Sequence, residues 1–499
     1  MSPTPAPRIV GLQDLALFSK TLNLNLLNLL SSSLELQEAI TLMSYWIMAA
    51  KRISKARFEA LTFSTLPFAW VVAEDVEWYS DQAENVLGVL CRDRQDDDWG
   101  YAVLGRDERS VFRGIETEVS MPDADSARKS LHLRLSFYAV TGEKIFPQGD
   151  ENLRKKLELF RRVVREEELN QNFLVLSDGK GYSSAKELIA EIAYSFVDTD
   201  GNYIQQFQTK GFDARLWELF LYALLHENDF LIDRSYAAPD YLCMKLGLNV
   251  FIEAVTVNPT QGEEASRVTP ETEPDPVKLA DYAAIKFGSA LFSKMHKNYW
   301  KLDHVKNHPL VFAIADFHAP KSMLWTHGAL AQYLYAMRSS KVKTAAGVTV
   351  EEAPIKEHTY GDKRIPSGFF QQPHSENVSA VLFSNSGTIS KFHRMGKLAG
   401  FGDQDVKMWR TGKRYDHGEG IVEPADFSFE IKEGLIETWS EGVSIFHNPN
   451  AKFPLHEELF PLVAHHFIEN NRMVSHLPDF FPLVSMTHIF SPDHSPTTS

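Results

Sequence analysis

Cysteine is almost absent from this chain of 499 residues, which holds only Cys91 and Cys243. Two thiols exclude a disulfide framework and a thiolate zinc site. Positive charge is also scarce, with 51 lysines and arginines against 66 aspartates and glutamates. The resulting net charge of −15 argues against a surface that coats nucleic acid throughout, and leaves room only for a local basic groove. Long apolar runs are missing as well. The segment "LNLNLLNLL" is interrupted by Asn23, Asn25 and Asn28 and closed by three serines, too short and too polar to span a bilayer. The opening "MSPTPAPRIV" has no basic stretch followed by an apolar core, so the expectation is a cytoplasmic protein with no membrane partner. "GKGYSS" and "GTISKFHRMGK" lack the spacing of a phosphate-binding P-loop, and no Gly-x-Ser-x-Gly elbow occurs. His465 and His466 are adjacent, so on a helix they point about 100° apart and serve one zinc ion poorly.

What is present is an ordinary globular composition, 44% apolar and 23% charged, in a chain too long for one core. Residues 34 to 62 carry helical periodicity and read as one or two amphipathic helices. From Pro67 short alternating runs follow, "FAWVVAEDVEWYS", "NVLGVLCRD", "WGYAVLGRD" and "VFRGIETEV", as in an antiparallel meander. Residues 125 to 170 return to helix, ending in the charged "DENLRKKLELFRRVVREEEL". Residues 183 to 335 then alternate between helix and strand, the pattern of a central sheet covered by helices. A strand is expected at "NVSAVLFSN" and a helix at "EELFPLVAHHFIENN". The expected layout is an α+β N-terminal domain over 1–150, an α/β domain over 183–390 and a mixed C-terminal region over 391–499.

The α/β part contains two carboxylates in unfavourable places. In "VFIEAVTV" side chains alternate, so Phe251, Glu253, Val255 and Val257 share one face, and Glu253 projects among large apolar groups. Asp240 follows Pro239, and "LGLN" can turn the chain so that the two strands pair and Asp240 lies beside Glu253. Two neighbouring carboxylates repel unless they share a proton or a cation, and oxygen ligands on a sheet suit Mg²⁺ (or Mn²⁺). The simpler alternative is that Glu253 pairs with a lysine or arginine inside the fold and Asp240 caps a turn.

Glu218 in "LWELFLYALL", "PD" at 239–240 and Glu253 in an apolar strand together resemble the PD-(D/E)xK nuclease superfamily. The chain is also similar to a set of bacterial proteins carrying "WELFLYALL", "APD", "EAVTVNP" and "VSAVLFSN" in this order, a similarity that names no activity. The superfamily resemblance implies a restriction-endonuclease-like mixed sheet flanked by helices, with Asp240 and Glu253 as metal ligands and Glu218 in support. It further implies a lysine two residues after the second acid, which helps to orient or activate the attacking water. Here that position is Val255. Lys294, beside the apolar positions Leu291 and Met295 of a following helix, is the best substitute, ahead of Lys297 and Lys245. The implied function is Mg²⁺-dependent hydrolysis of DNA phosphodiesters. The alternative is a catalytically inactive nuclease-like fold that binds nucleic acid or a protein partner.

Residues 391 to 414 reverse the overall charge. Lys391, Arg394, Lys397, Lys407, Arg410, Lys413 and Arg414 face only Asp403 and Asp405, which makes them the expected foothold for DNA, with Phe392 or Trp409 for stacking. The blander reading is a solvated surface loop that offsets acidic neighbours. The expected partners are DNA and, in a homodimer, a second copy of the chain.

Overall fold

The computed structural model describes residues 50–150, 155–259, 268–319, 321–344, 347–418, 421, 423–491 and 497–498. The expected helix over residues 34–49 lies outside them. The described chain divides into two compact units, one made of residues up to Ile53, 73–105 and 114–144, the other of 54–72, 106–113 and 145 onward. Helices of eight residues or more are numbered below.

The first unit is the meander read from the alternating runs: β1 (Lys51–Ile53), β2 (Ala73–Ser80), β3 (Val86–Asp93), β4 (Trp99–Arg106) and β5 (Phe112–Met121) lie side by side in chain order. Helix α1 (Ala124–Thr141) starts on Asp123, whose side chain accepts from the Ser126 amide, and stops at Gly142 with φ of 69°. It buries Ala127, Leu131 and Leu135, one face at helical spacing. Gly88 lets that face close on β3, because a Cβ there would sit 2.7 Å from Leu131 Cδ1.

The second unit is a mixed α/β structure around a large mixed sheet flanked by helices. Helices α2 (Gln171–Asp178), α3 (Ser183–Ser195) and α4 (Phe212–Glu227) precede β6 (Leu231–Asp233), β7 (Tyr241–Lys245) and β8 (Leu248–Val257). Then come α5 (Pro276–Met295), β9 (Leu310–Asp316) and α6 (His327–Tyr335), followed by the hairpins β10 (Met337–Thr344) with β11 (Gly347–Pro354) and β12 (Glu357–Tyr360) with β13 (Lys363–Pro366). Strand β14 (Ala380–Ser384), α7 (Ile389–Leu398), β15 (Lys407–Arg414), β16 (Ala425–Ile431), β17 (Val443–His447), β18 (Ala464–Glu469), β19 (Arg472–His476), β20 (Pro482–Phe490) and β21 (Thr497–Thr498) complete it. The large sheet runs β19-β18-β17-β14-β9-β8-β7-β6, so its core strands come from both sides of residue 390. Strands β8, β9 and β14 are parallel, joined through α5 and α6, whereas β6, β7 and β8 form antiparallel hairpins.

Local chemistry explains the elements that hold the site. Helix α4 is apolar on nearly every side and is buried from Leu216 through Leu225. Asp275 caps α5 through the amides of Val277 and Lys278, and Pro276 occupies the first turn. Between β7 and β8, Leu246 and Gly247 both take positive φ, 52° and 75°, the conformation that a two-residue hairpin loop demands.

Several expectations are corrected. Residues 51–53 form a strand, not helix, and Phe68–Val72 form a helix before β2 begins. The charged stretch 155–169 is irregular apart from a turn at 159–160 and a 3₁₀ turn at Glu166–Glu168. Gln208 ties it down: its side chain donates to the carbonyls of Leu159 and Arg161 and accepts from the Val163 amide. The helix expected around His465 and His466 is strand β18, paired in parallel with β17, so successive histidines point to opposite faces. Among the described residues no helix is long and apolar enough to cross a membrane.

Candidate active site

Strand register brings the two acidic residues together. Tyr241 pairs with Ile252 and Lys245 with Leu248, which places Asp240 one step beyond the last pair, level with Glu253. Asp240 Oδ2 accepts from the Ala254 amide at 2.8 Å, so the carboxylate satisfies the edge of β8 just before β7 begins. Glu253 lies on the face of β8 that packs Phe251, Val255 and Val257 against Ala284, Phe287 and Leu291 of α5. It is 5% exposed. Two donors meet its Oε1, Lys294 Nζ at 2.5 Å and the Tyr299 hydroxyl at 2.7 Å. Burial pushes the Glu253 carboxyl up and the charge of Asp240 adds to the rise, while Lys294 opposes it. Tyr299, buried beside the same carboxylate, is held far above the usual phenol range.

Glu218 approaches from the other face. Tyr241 lies across from Ile252 on the side of the sheet opposite Glu253, and its hydroxyl donates to the Glu218 carbonyl at 2.7 Å. The Glu218 carboxylate receives Arg215 Nη1 at 2.6 Å and Arg234 Nη2 at 3.4 Å. Burial, reinforced by the charge of Asp240, nonetheless raises its pKa to about 7 against the pull of both arginines. The three expected carboxylates therefore interact electrostatically, with Asp240 between the other two.

The structure brings Lys294 into this group and leaves its rivals elsewhere. Lys297 is exposed, and Lys245 donates to the carbonyls of Asn228 and Leu459. Val255, where the superfamily motif has lysine, is 2% exposed in the apolar cluster. Sequence reasoning missed Tyr299, Arg215 and Arg234. Arg215 was accessible as the residue three before Glu218 on one helix, but the other two reach the site only through the fold. Asp316 at the end of β9 pairs with His318 Nδ1 at 2.6 Å, both buried.

Two oxygens of the acidic pair are left that could ligate a cation. Asp240 Oδ1 and Glu253 Oε2 have no hydrogen-bond donor among the described residues, while each partner oxygen is engaged. No group of three or more His, Cys, Asp or Glu residues able to hold a metal occurs among the described residues. A pair of carboxylates with open positions suits Mg²⁺, which keeps waters and takes substrate phosphate oxygens.

The expected DNA foothold is corrected at three of its seven positions. Lys391, Arg394 and Arg410 are buried and converge on acids: Lys391 Nζ lies 2.7 Å from Glu437 Oε1, Arg394 Nη2 2.8 Å from the same oxygen, and Arg410 bonds Glu441. Burial works to raise the Glu437 carboxyl, and the three cations overcome it and hold it well below the usual range. Phe392 is wholly buried and offers no stacking face. Lys407 and Lys413 are exposed and Lys397 and Arg414 half-buried, with Lys413 paired to Asp426.

No protein-family model matches the chain, and no curated protein or solved structure matches it.

Proposed function

We propose that the protein is a Mg²⁺-dependent nuclease that hydrolyses DNA phosphodiesters at Asp240 and Glu253. The observation that carries this reading is the convergence of those two carboxylates with a lysine amine that arrives from a helix, replacing the strand lysine absent at Val255. Asp240 Oδ1 and Glu253 Oε2 would hold the metal, which when bound supplies charge neutralisation on the scissile phosphate and an activated water. Lys294 can exchange its bond with Glu253 for one to the attacking water or a phosphate oxygen. Tyr299 then keeps Glu253 Oε1 satisfied and the carboxylate in place. Arg234, attracted to both Glu218 and Asp240, offsets the repulsion between these two carboxylates. Lys397, Lys407, Lys413 and Arg414 are the remaining basic residues for backbone phosphates.

The test is cleavage of supercoiled plasmid by the purified chain with Mg²⁺ or Mn²⁺. Glu253→Ala should abolish cleavage with circular dichroism unchanged. A wild-type chain that cuts with neither metal ends the nuclease reading.

A second reading, a nuclease-like fold that binds nucleic acid without cutting, is favoured by one observation. Lys294 and Tyr299 both spend their donors on Glu253 Oε1, an internally balanced ion pair. In that case DNA binding persists in the Glu253→Ala chain without metal and weakens on substitution of Lys407 and Arg414.

A further inference from the structure

Two stacked rings stand beside the acidic pair, one of them on the loop that joins β6 to β7. Tyr236 lies four residues before Asp240 and faces His304, with ring centroids 4.0 Å apart and planes 8° from parallel. His304 is fixed from two sides. Its Nε2 donates to the Ala238 carbonyl at 2.9 Å, and its ring leans on Phe251 at 5.7 Å between centroids. Phe251 shares its face of β8 with Glu253, which is two residues, about 7 Å, further along the strand. The stack therefore sits on the face of the sheet that carries Glu253, within the reach of one nucleotide.

Tyr236 is held but not covered. His304 takes one face of its ring, yet 39% of the residue stays exposed. Ala238, in the same loop, packs on the apolar cluster that contains Phe251, so the ring is carried on anchored backbone. Little further ordering would oppose a ligand that stacks on it. The strip that leads to His304 is basic. Between Asp281 and Asp303 the chain has four lysines and no acidic residue, in a protein of net charge −15. Lys294 and Tyr299 reach Glu253, while Lys297 and Lys301 in the same stretch are exposed. Phosphates that follow this strip would bring a neighbouring base to the open side of Tyr236. Only a base with a free face can stack there, and bases inside a duplex are already stacked on their neighbours.

We infer, resting on the nuclease reading, that Tyr236 backed by His304 is a stacking platform for an unpaired base next to the scissile phosphate. The substrate is then DNA that is single-stranded at the cut.

Fluorescence anisotropy of the full chain with labelled dodecathymidylate, and with the same strand paired to dodecaadenylate, tests this. Ca²⁺ is present to occupy the carboxylate oxygens, and a gel confirms that the strand stays whole. The single strand should bind at least about tenfold tighter than the duplex. Tyr236→Ala should weaken single-strand binding by about fivefold or more, the loss typical of one base–aromatic stack, with the thermal melt retained. Tyr236→Leu, apolar but without a ring, gives the same reading where alanine disturbs the loop. Tyr236→Phe should stay within about twofold of the unchanged chain, because the ring rather than the hydroxyl makes the contact. No binding, equal affinity for the two DNAs, full affinity in the ringless variants, or an equal loss in Tyr236→Phe overturns the platform. Plasmid left uncut in Mg²⁺ and Mn²⁺ while the Tyr236 effects hold strikes the nuclease reading alone.

Discussion

Lys294 Nζ lies 2.5 Å from Glu253 Oε1, joining a helix to a strand 41 residues earlier in the chain. This contact is an ion pair between a buried acid and a partly exposed base. It is also the contact on which the proposed nuclease function rests. Both descriptions fit the same geometry, and substitutions separate them.

Lys294→Met should lower Mg²⁺-dependent DNA cleavage by about 100-fold or more, the loss typical when a transition-state donor is removed. It should also push the Glu253 carboxyl further up, since Lys294 is the group that opposes its rise. Plasmid cleavage at several pH values reads both effects. An unchanged rate assigns Lys294 to structure alone.

Val255→Lys in the Lys294→Met background should recover at least about tenfold of the lost cleavage, because residue 255 projects from the same face as Glu253. The new lysine must lift its ammonium out of an apolar cluster, so the melting temperature should fall at the same time. Recovery measured against Lys294→Met alone checks the idea that one amine can be supplied from either element.

Glu218 makes stability depend on pH in the direction opposite to an ordinary salt-bridged carboxylate. Its folded pKa of about 7 exceeds the ordinary 4.5, so the folded state holds the extra proton between those values. The stabilisation is fully present below about pH 4.5 and is lost as pH rises through about 7, up to roughly 3 kcal/mol for this side chain. Denaturant midpoints across pH 4 to 8 should lose this downward component in Glu218→Gln. Identical profiles for both chains would assign the pH dependence to other groups.

Glu437→Gln should destabilise the second unit by about 3–5 kcal/mol, because it removes the shared counter-charge of Lys391 and Arg394, which are buried with Arg410. Chemical denaturation measures the loss. Lys407→Glu with Arg414→Glu should leave stability within about 0.5 kcal/mol while weakening salt-sensitive DNA binding.

Gly396→Ala should be costly although alanine favours helix. Gly396 lies in α7 where it crosses α3, and a Cβ there would sit 2.2 Å from the Ser184 carbonyl oxygen. A loss of about 1–3 kcal/mol in a denaturant melt is expected, since backbone must move to make room.

Periodicity and turn chemistry in the sequence were enough for the elements that carry the expected acids. Alternation set Glu253 on the face of Phe251 and Val255, and the "LGLN" turn predicted the pairing that brings Asp240 level with it. Helical spacing placed Lys294 beside Leu291 and Met295, hence inward. Local pattern misled where burial is decided by distant partners. The run around His465 and His466 has the local pattern of a helix, yet β17 and β19 supply the hydrogen bonds that make it a strand. The basic residues at 391, 394 and 410 read as a surface patch because charge usually stays in water. Glu437 and Glu441, some 30 to 46 residues away, let them be buried instead. Tyr299 and Arg234 joined the candidate site for the same reason. Strand faces and helix stripes are properties of neighbouring residues and survive in the linear order. Which charges neutralise one another depends on contacts between segments far apart in the chain, and only the tertiary structure decides those.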